Sequence, residues 1–295
     1  MQTRAAIRRP RPAATSVVAT DAPRIRVGIG GWTFAPWRGP FYPPDLPQKR
    51  ELEHASRKVT SIEVNGTFYG AQKPESFMRW REETPNGFVF SLKAPRFATH
   101  RRVLAEAGAS VERFLTGGVL ELKEKLGPIN WQMPATKQYD AADFEAFLKL
   151  LPAEIDGQQL RHVVEVRHPS FVHTDFIALL RTYRIAVVLA DHASHPLLPD
   201  PTAPFLYARL QCASEQEDSG YSLDALAQWA RRAKIWAVGK APADLPLIAG
   251  PEREPPKSRD VFIYMINGFK PKAPAAAMAL IERLSSEHRM DDPPT

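Results

Sequence analysis

Eight short apolar runs recur along the chain, each rich in β-branched or aromatic residues. They are "IRVGIGGW" (25–32), "SIEVN" (61–65), "GFVFSLK" (87–93), "GPINWQM" (127–133), "HVVEVR" (162–167), "IAVVLAD" (185–191), "FLYARL" (205–210) and "VFIYMIN" (261–267). Runs of this length and composition predict strands. Between most of them the apolar residues return at helical spacing. In "AADFEAFLKLLP", Phe144, Phe147, Leu148 and Leu151 share one face, and "HTDFIALLRTY" and "SLDALAQWARRAKIW" repeat the pattern. Strands alternating with helices predict a parallel sheet with helical crossovers. For a body of about 250 residues the natural closure is a single (β/α)8 TIM barrel, an α/β fold with eight parallel strands and outer helices. A doubly wound open sheet is the rival, but no GxGxxG or GxxxxGK[ST] loop supports a nucleotide-binding version of it.

Two stretches depart from the rhythm. Residues 94–126 hold two helical pieces between the third and fourth strands, and the proline-rich insertion 240–259 precedes the last strand. An insertion before a strand belongs to the N-terminal face of a barrel, away from the usual active site. The predicted organisation is a disordered, mobile basic leader over 1–23, the barrel over 24–288 and a short tail over 289–295.

Charge changes this picture less than its total suggests. The 295-residue chain has 39 Lys and Arg against 33 Asp and Glu, a formal +6. Residues 1–26 contain Arg4, Arg8, Arg9, Arg11, Arg24 and Arg26 and one acid, Asp21, which leaves 33 bases facing 32 acids elsewhere. The basic excess is therefore largely a property of the leader. Its arginines and scarcity of acids suit a transit peptide, while its lack of an apolar core excludes a secretory signal and favours disorder. No stretch approaches the ~20 apolar residues of a membrane span. Cys212 is the only cysteine, which excludes an intramolecular disulfide and fits a reducing, cytoplasmic setting.

The strand ends carry the chemistry. Residues i and i+2 of a strand share a face, so Glu165 and Arg167 place an acid beside a base inside an apolar run. Glu63 and Asn65 repeat the pattern. In a barrel, reactive groups gather where strands end, and Trp32, Glu63, Asn65, Lys93, Gln132, Glu165, Arg167, His168, Asp191, Arg209 and Asn267 all fall there. Arg167 suits bidentate capture of an anionic oxygen, with Glu165 as acid or base, or else the pair is an ion-pair plug in the barrel. His168 reads as a proton shuttle or as a hydrogen-bonded histidine before Pro169. Lys93 suits a phosphate clamp, with a buried Schiff-base lysine as a further reading. Glu63 with Glu165 or Asp191 would make a carboxylate pair of the glycosidase kind. The loop "DHASH" (191–195) offers Asp191, its histidines being expected in solvent. Trp32, Phe34, Trp37 and "FYP" (41–43) form either a stacking platform or a packed lid.

These residues also carry a resemblance. "GGWTFAPWRGPFYP" (30–43), "IEVNGTFY" (62–69), "WREETPNGFVFSLKAPRFATH" (80–100), "LGPINWQMP" (126–134), "VEVRHPSF" (164–171) and the "YARL" and "YMIN" strands resemble the YecE-like family, domain of unknown function 72. The resemblance implies a TIM barrel from about residue 25 to 285 and brings no reaction with it. Fold analogy to endonuclease-IV-like barrels has been drawn for members of the family. The chain departs from the family pattern at Gly66, at Gln211 and Cys212, at Gly268, and in "KPKAPAAAMAL", so the rim of the last two strands is altered.

The combined expectation is an enzyme, a hydrolase or lyase, acting on a small phosphate- or carboxylate-bearing substrate at the C-terminal barrel mouth. Glu165, His168, Glu63 and Asp191 are the candidate catalytic groups. Lys93, Arg167, Arg209, Asn65, Gln132, Asn267, Trp32 and Trp37 are the candidate substrate-binding groups. The alternative is a nucleic-acid binder using Lys93, Arg96, Arg101, Arg102, Arg209 and the aromatic loop. A degenerate barrel serving as an interaction partner is the third reading. No cofactor is predicted. A divalent metal on Glu63, Glu165, His168 and Asp191 would lack any close ligand spacing and would be opposed by Arg167 and Lys93. No membrane partner is expected, and the oligomeric state is not encoded in any pattern found.

Overall fold

Eight parallel strands close into a barrel in a computed structural model that describes residues 24–286. They are β1 (Ile25–Gly30), β2 (Ser61–Val64), β3 (Val89–Lys93), β4 (Leu126–Gln132), β7 (His162–Glu165), β8 (Ala186–Asp191), β9 (Phe205–Leu210) and β10 (Asp260–Met265). Neighbours follow chain order around the ring, and β10 pairs with β1 to close it. The predicted TIM barrel is the observed fold. A two-stranded hairpin, β5 (Glu154–Ile155) with β6 (Gln158–Gln159), was not foreseen; its turn places Asp156 and Gly157 at positive φ. The predicted leader over 1–23 and the tail over 289–295 lie outside the described residues.

Alternation along each strand sorts side chains into two apolar sets. Val89, Val163, Val188, Ala190, Phe205, Tyr207, Phe262, Tyr264 and Ile266 point inward and fill the barrel. Their sequence neighbours Phe90, Val164, Leu189, Leu206, Ala208 and Ile263 point outward against the helices. The barrel is thus a packed core below its mouth. Gly28 lets the wall close around Tyr264, since a Cβ there would come within 2.2 Å of the Ser61 carbonyl oxygen and 3.1 Å of the Tyr264 ring.

Helices cover most of the outside. The amphipathic segment 141–148 starts at Asp140, whose carboxylate caps the Asp143 amide at 2.9 Å, and it buries Phe144, Phe147 and Leu148. Helix Thr174–Tyr183 follows β7 and helix Leu223–Ala237 follows β9, both as their apolar spacing predicts. Between β3 and β4 the chain breaks into short pieces, Arg96–Thr99, Leu104–Ala107, Gly108–Leu115 and Val119–Lys125, rather than two clean helices. Between β8 and β9 no helix forms, and residues 192–204 cross in extended and turn conformations. The proline-rich insertion is irregular but anchored. Asp200 accepts from the amides of Ile248 and Ala249 at 2.7 and 2.9 Å, and Arg181 donates to the Gly250 carbonyl at 2.7 Å. These contacts lie before β9 and β10, on the face opposite the strand ends that form the mouth.

Candidate functional site

Register brings the predicted polar residues into one layer at the C-terminal end of the barrel. Glu63 on β2 lies beside Ser91 on β3, Lys93 beside Asn130 on β4, Gln132 beside Glu165 on β7, and Arg209 on β9 beside Tyr264 on β10. All of these except Tyr264 and Ser91 stand at or one position from the end of their strand's inward row. Glu63, Ser91, Asn130, Glu165 and Arg209 are almost wholly buried.

Arg209 is the centre of the layer. Its Nη1 donates to Glu165 Oε2 at 2.6 Å and its Nη2 to Glu63 Oε1 at 3.1 Å. The second Glu63 oxygen accepts from the Tyr207 hydroxyl at 2.6 Å, and Tyr207 meets the Ser91 hydroxyl at 2.8 Å. Glu165 is held from three sides. Arg167 donates Nε and Nη2 to its Oε1 at 2.9 and 2.7 Å, and Asn130 donates to Oε2 at 3.2 Å. Burial alone would raise the Glu165 pKa, but Arg209, Arg167 and Lys93 outweigh it and hold the carboxyl at about 2. Arg209 responds in kind: burial opposes its charge, and Glu165 and Glu63 more than restore it. Glu165 thus sits between the guanidiniums of Arg167 and Arg209.

Above this layer opens a cavity of about 380 Å³. Gly30, Asn65, Phe68, Tyr69, Lys93, Gln132, Arg167, Arg209, Met265, Ile266, Asn267 and Lys270 line it. Four of these are cations and none is a carboxylate. Formally, Lys93, Arg167 and Arg209 bring three positive charges against the two of Glu63 and Glu165, and Lys270 adds a fourth at the rim. Lys93 is buried, and among the described residues no carboxylate lies within ion-pairing distance of its Nζ; the ammonium sits 4.3 Å over the face of Phe68. Burial lowers its pKa, Glu63 partly opposes this and Arg209 reinforces it, leaving the amine at about 8. Arg209 Nε, Asn130 Oδ1 and Gln132 Oε1 are buried without hydrogen-bond partners among the described residues.

Six of the eight predicted substrate-binding residues therefore share one cavity: Lys93, Arg167, Arg209, Asn65, Gln132 and Asn267. Asn267 reaches it because its backbone adopts the left-handed region (φ 63°), which asparagine tolerates better than most residues. The other two do not line it. Trp32 packs edge-on against Trp80 and Phe90 at centroid distances of 5.2 and 6.4 Å. Trp37 is fully buried and donates Nε1 to the Lys270 carbonyl at 3.0 Å. The aromatic loop is a packed lid, with Lys270 Nζ 4.4 Å over Phe34.

Of the four predicted catalytic residues, Glu63 and Glu165 stand directly beneath the cavity, bridged by Arg209. The guanidinium occupies the space a glycosidase-like pair would leave for substrate or water. Asp191 falls on the outward row of β8 with Leu189, and it meets Cys212 and Tyr221 rather than the cavity. His168 follows Arg167 and so leaves the inward row; its Nδ1 contacts the Ser170 hydroxyl at 2.9 Å and accepts the Ser170 amide at 3.2 Å, capping the turn Pro169–Phe171. Among the described residues no three His, Cys, Asp or Glu side chains gather as a metal-binding group. No helix among them is long and apolar enough to cross a membrane.

Sequence reasoning missed several members of the site. Tyr207 and Asn130 sit two residues before Arg209 and Gln132, so the two-apart rule applied to Glu165 and Arg167 would have found them. His195 was expected in solvent. It is instead half-buried and stacked on His192 at 3.8 Å, and burial, with Arg167 and His192 adding to it, lowers its pKa to about 4. Phe68 and Tyr69 come from the short helix Gly66–Tyr69 and Lys270 from the helical turn Lys270–Lys272, segments too short to carry a periodic signal.

The family profile described as "Protein of unknown function DUF72" matches residues 26–295. The chain belongs to the DUF72 family. The UPF0759 protein YecE of Escherichia coli (strain K12) is 36% identical over 123 residues, which is 41% of this chain and 42% of YecE. The UPF0759 protein YunF of Bacillus subtilis (strain 168) is 30% identical over 79 residues, 26% of this chain and 27% of YunF. The matched segments thus span less than half of either relative. Among solved structures, the DUF72 family protein TM1631 of Thermotoga maritima MSB8 superposes with a TM-score of 0.69 at 21% identity, covering 89% of this chain and 99% of that one. The DUF72 family protein EF0366 of Enterococcus faecalis V583 gives 0.63 at 15% identity, covering 89% and 98%. These two likenesses concern the DUF72 fold alone.

Proposed function

We propose that this DUF72 protein is an enzyme acting on a small substrate that carries a phosphate or carboxylate, bound at the C-terminal mouth of the barrel. One observation carries the reading: among the described residues, a cavity of about 380 Å³ is lined by Lys93, Arg167, Arg209 and Lys270 and by no carboxylate. Its size is within the ~300–1,000 Å³ of small-molecule sites, and its position is the usual one for catalysis on this fold. Two of the cations are guanidiniums, whose forked donors match carboxylate and phosphate oxygens. Glu63 and Glu165 fix Arg209 from behind, and Glu165 fixes Arg167, so both forks are pre-oriented before a ligand arrives. Asn65, Gln132 and Asn267 supply amide groups to orient its uncharged part. In this reading Glu63 and Glu165 position the arginines.

A thermal-shift screen tests the proposal. Inorganic phosphate, sulfate and short dicarboxylates should raise the melting temperature in a saturable way, and uncharged sugars of similar size should not. Ligand at 100 times its Kd stabilises by about 2.7 kcal/mol, which moves the melting temperature by several degrees. Equal shifts from charged and uncharged compounds would remove the basis for the anionic substrate. Shifts confined to polynucleotides would favour the nucleic-acid reading instead.

A further inference from the structure

We propose that Lys93 is a nucleophilic lysine that forms an imine with an aldehyde or ketone group of the bound anion, so that the substrate class is a small carbonyl compound bearing a carboxylate or phosphate. This rests on the anion-binding reading and deepens it.

Among the described residues Lys93 forms no ion pair with a carboxylate. The two carboxylates below it are engaged by other groups, Glu63 by Arg209 and Tyr207, and Glu165 by Arg209, Arg167 and Asn130. What meets the Lys93 ammonium is the face of Phe68 at 4.3 Å, in a wall only 6% exposed. The backbone holds the residue firmly, because its carbonyl accepts from the Thr67 hydroxyl at 2.7 Å and β3 pairs it with Asn130. A buried, positioned amine with no carboxylate within ion-pairing distance among the described residues, in the same cavity as two oriented guanidiniums, is the arrangement that imine chemistry needs. The guanidiniums hold the anionic end, and the amine meets the carbonyl.

The charged groups around Lys93 support that role. Desolvation and the neighbouring Arg209 and Arg167 lower its pKa, Glu63 and Glu165 oppose them, and the balance stands at about 8. Roughly a tenth of the amine is then neutral at pH 7, against less than a thousandth for an ordinary lysine. The step balances without oxidant or reductant. The Nζ lone pair forms the C–N bond while the C=O π electrons move to oxygen, which takes a proton from water, and nitrogen releases one. The carbinolamine oxygen then takes a second proton and leaves as water as C=N forms. Amine, carbonyl and one proton from solvent give iminium and water.

Glyoxylate with cyanoborohydride tests this on the full-length protein, because hydride from the reagent converts the imine into a stable carboxymethyl-lysine that peptide mass spectrometry locates. Lys93 should be modified first, ahead of the rim residue Lys270 and of exposed lysines, with half-maximal labelling near pH 8, and inorganic phosphate should suppress it. Acetaldehyde, which lacks the anion, should show a weaker preference. Lys93→Arg should lose the fast label; the pH profile and phosphate protection of the wild type provide the test if that variant misfolds. Labelling that simply follows exposure, in a protein that still binds phosphate, overturns the imine and leaves the anion site standing. A protein that neither binds phosphate nor labels preferentially overturns both.

Discussion

Arg209 Nη1 lies 2.6 Å from Glu165 Oε2, and the same guanidinium reaches Glu63 Oε1 at 3.1 Å, so a single cation ties together two carboxylates inside the barrel. Removing it leaves two buried charges facing each other. Arg209→Met should destabilise the protein by about 3–5 kcal/mol, the cost of breaking a buried pair. Adding Glu63→Gln and Glu165→Gln should recover much of that loss. Denaturant unfolding of the wild type, the single variant and the triple variant measures both effects.

Arg167 should behave differently, although it shares the same carboxylate. Its side chain is 21% exposed, and Glu165 keeps Arg209 and Asn130 when it is gone. Arg167→Met should cost only about 1 kcal/mol of stability. It should lower phosphate affinity at least ~10-fold, since a bidentate charged contact is lost. A melt with and without phosphate separates the two consequences.

Acid should unfold the protein along a predictable path. Glu165 is depressed from 4.5 to about 2, so its contribution is complete above pH 4.5 and is lost as pH falls toward 2. His162 acts on the same side. It is buried between the Trp131 indole, 3.1 Å from its Nδ1, and the Pro152 carbonyl, 2.7 Å from its Nε2; burial lowers its pKa from 6.5 to about 4. The unfolded chain therefore binds a proton between pH 6.5 and 4 that the folded chain refuses. Stability should fall across both windows, by up to roughly 3 kcal/mol in each. Glu165→Gln should flatten the lower limb alone and His162→Gln the upper.

Polyanion binding should dissociate from the pocket. Arg101, one of the arginines considered for a nucleic-acid surface, donates to the Phe97 carbonyl and the Ser110 hydroxyl at 2.9 Å each. Removing residues 1–23 should weaken and flatten the salt dependence of DNA binding, because Arg4, Arg8, Arg9 and Arg11 go with them. Phosphate binding should be unchanged. Filter binding and calorimetry on the truncated chain check this pair of outcomes.

Strand positions were legible because a buried parallel strand must be a short β-branched run, and all eight such runs became barrel strands. The core of the site was legible for a related reason. Glu165, Arg167 and Arg209 interrupt runs in which an unpaired charge would be costly, and strand parity fixes where they point. Parity also explains Asp191, which shares the outward row of Leu189 and could have been set aside on that ground. Trp37 was not readable, because an aromatic loop packs as a lid or opens as a platform with the same sequence. Lys270 and His195 were not readable either, since loop paths depend on contacts such as Lys270 carbonyl to Trp37 that no local pattern encodes.

Calorimetric titration of the wild type and Arg167→Met with inorganic phosphate tests the central claim most directly. One site per chain should appear in the wild type, with affinity that falls only modestly between low and moderate salt, and the variant should bind at least ~10-fold more weakly while remaining folded. Equal binding by both proteins would place the anion elsewhere, and a wild type that binds no phosphate, sulfate or carboxylate would contradict the claim outright.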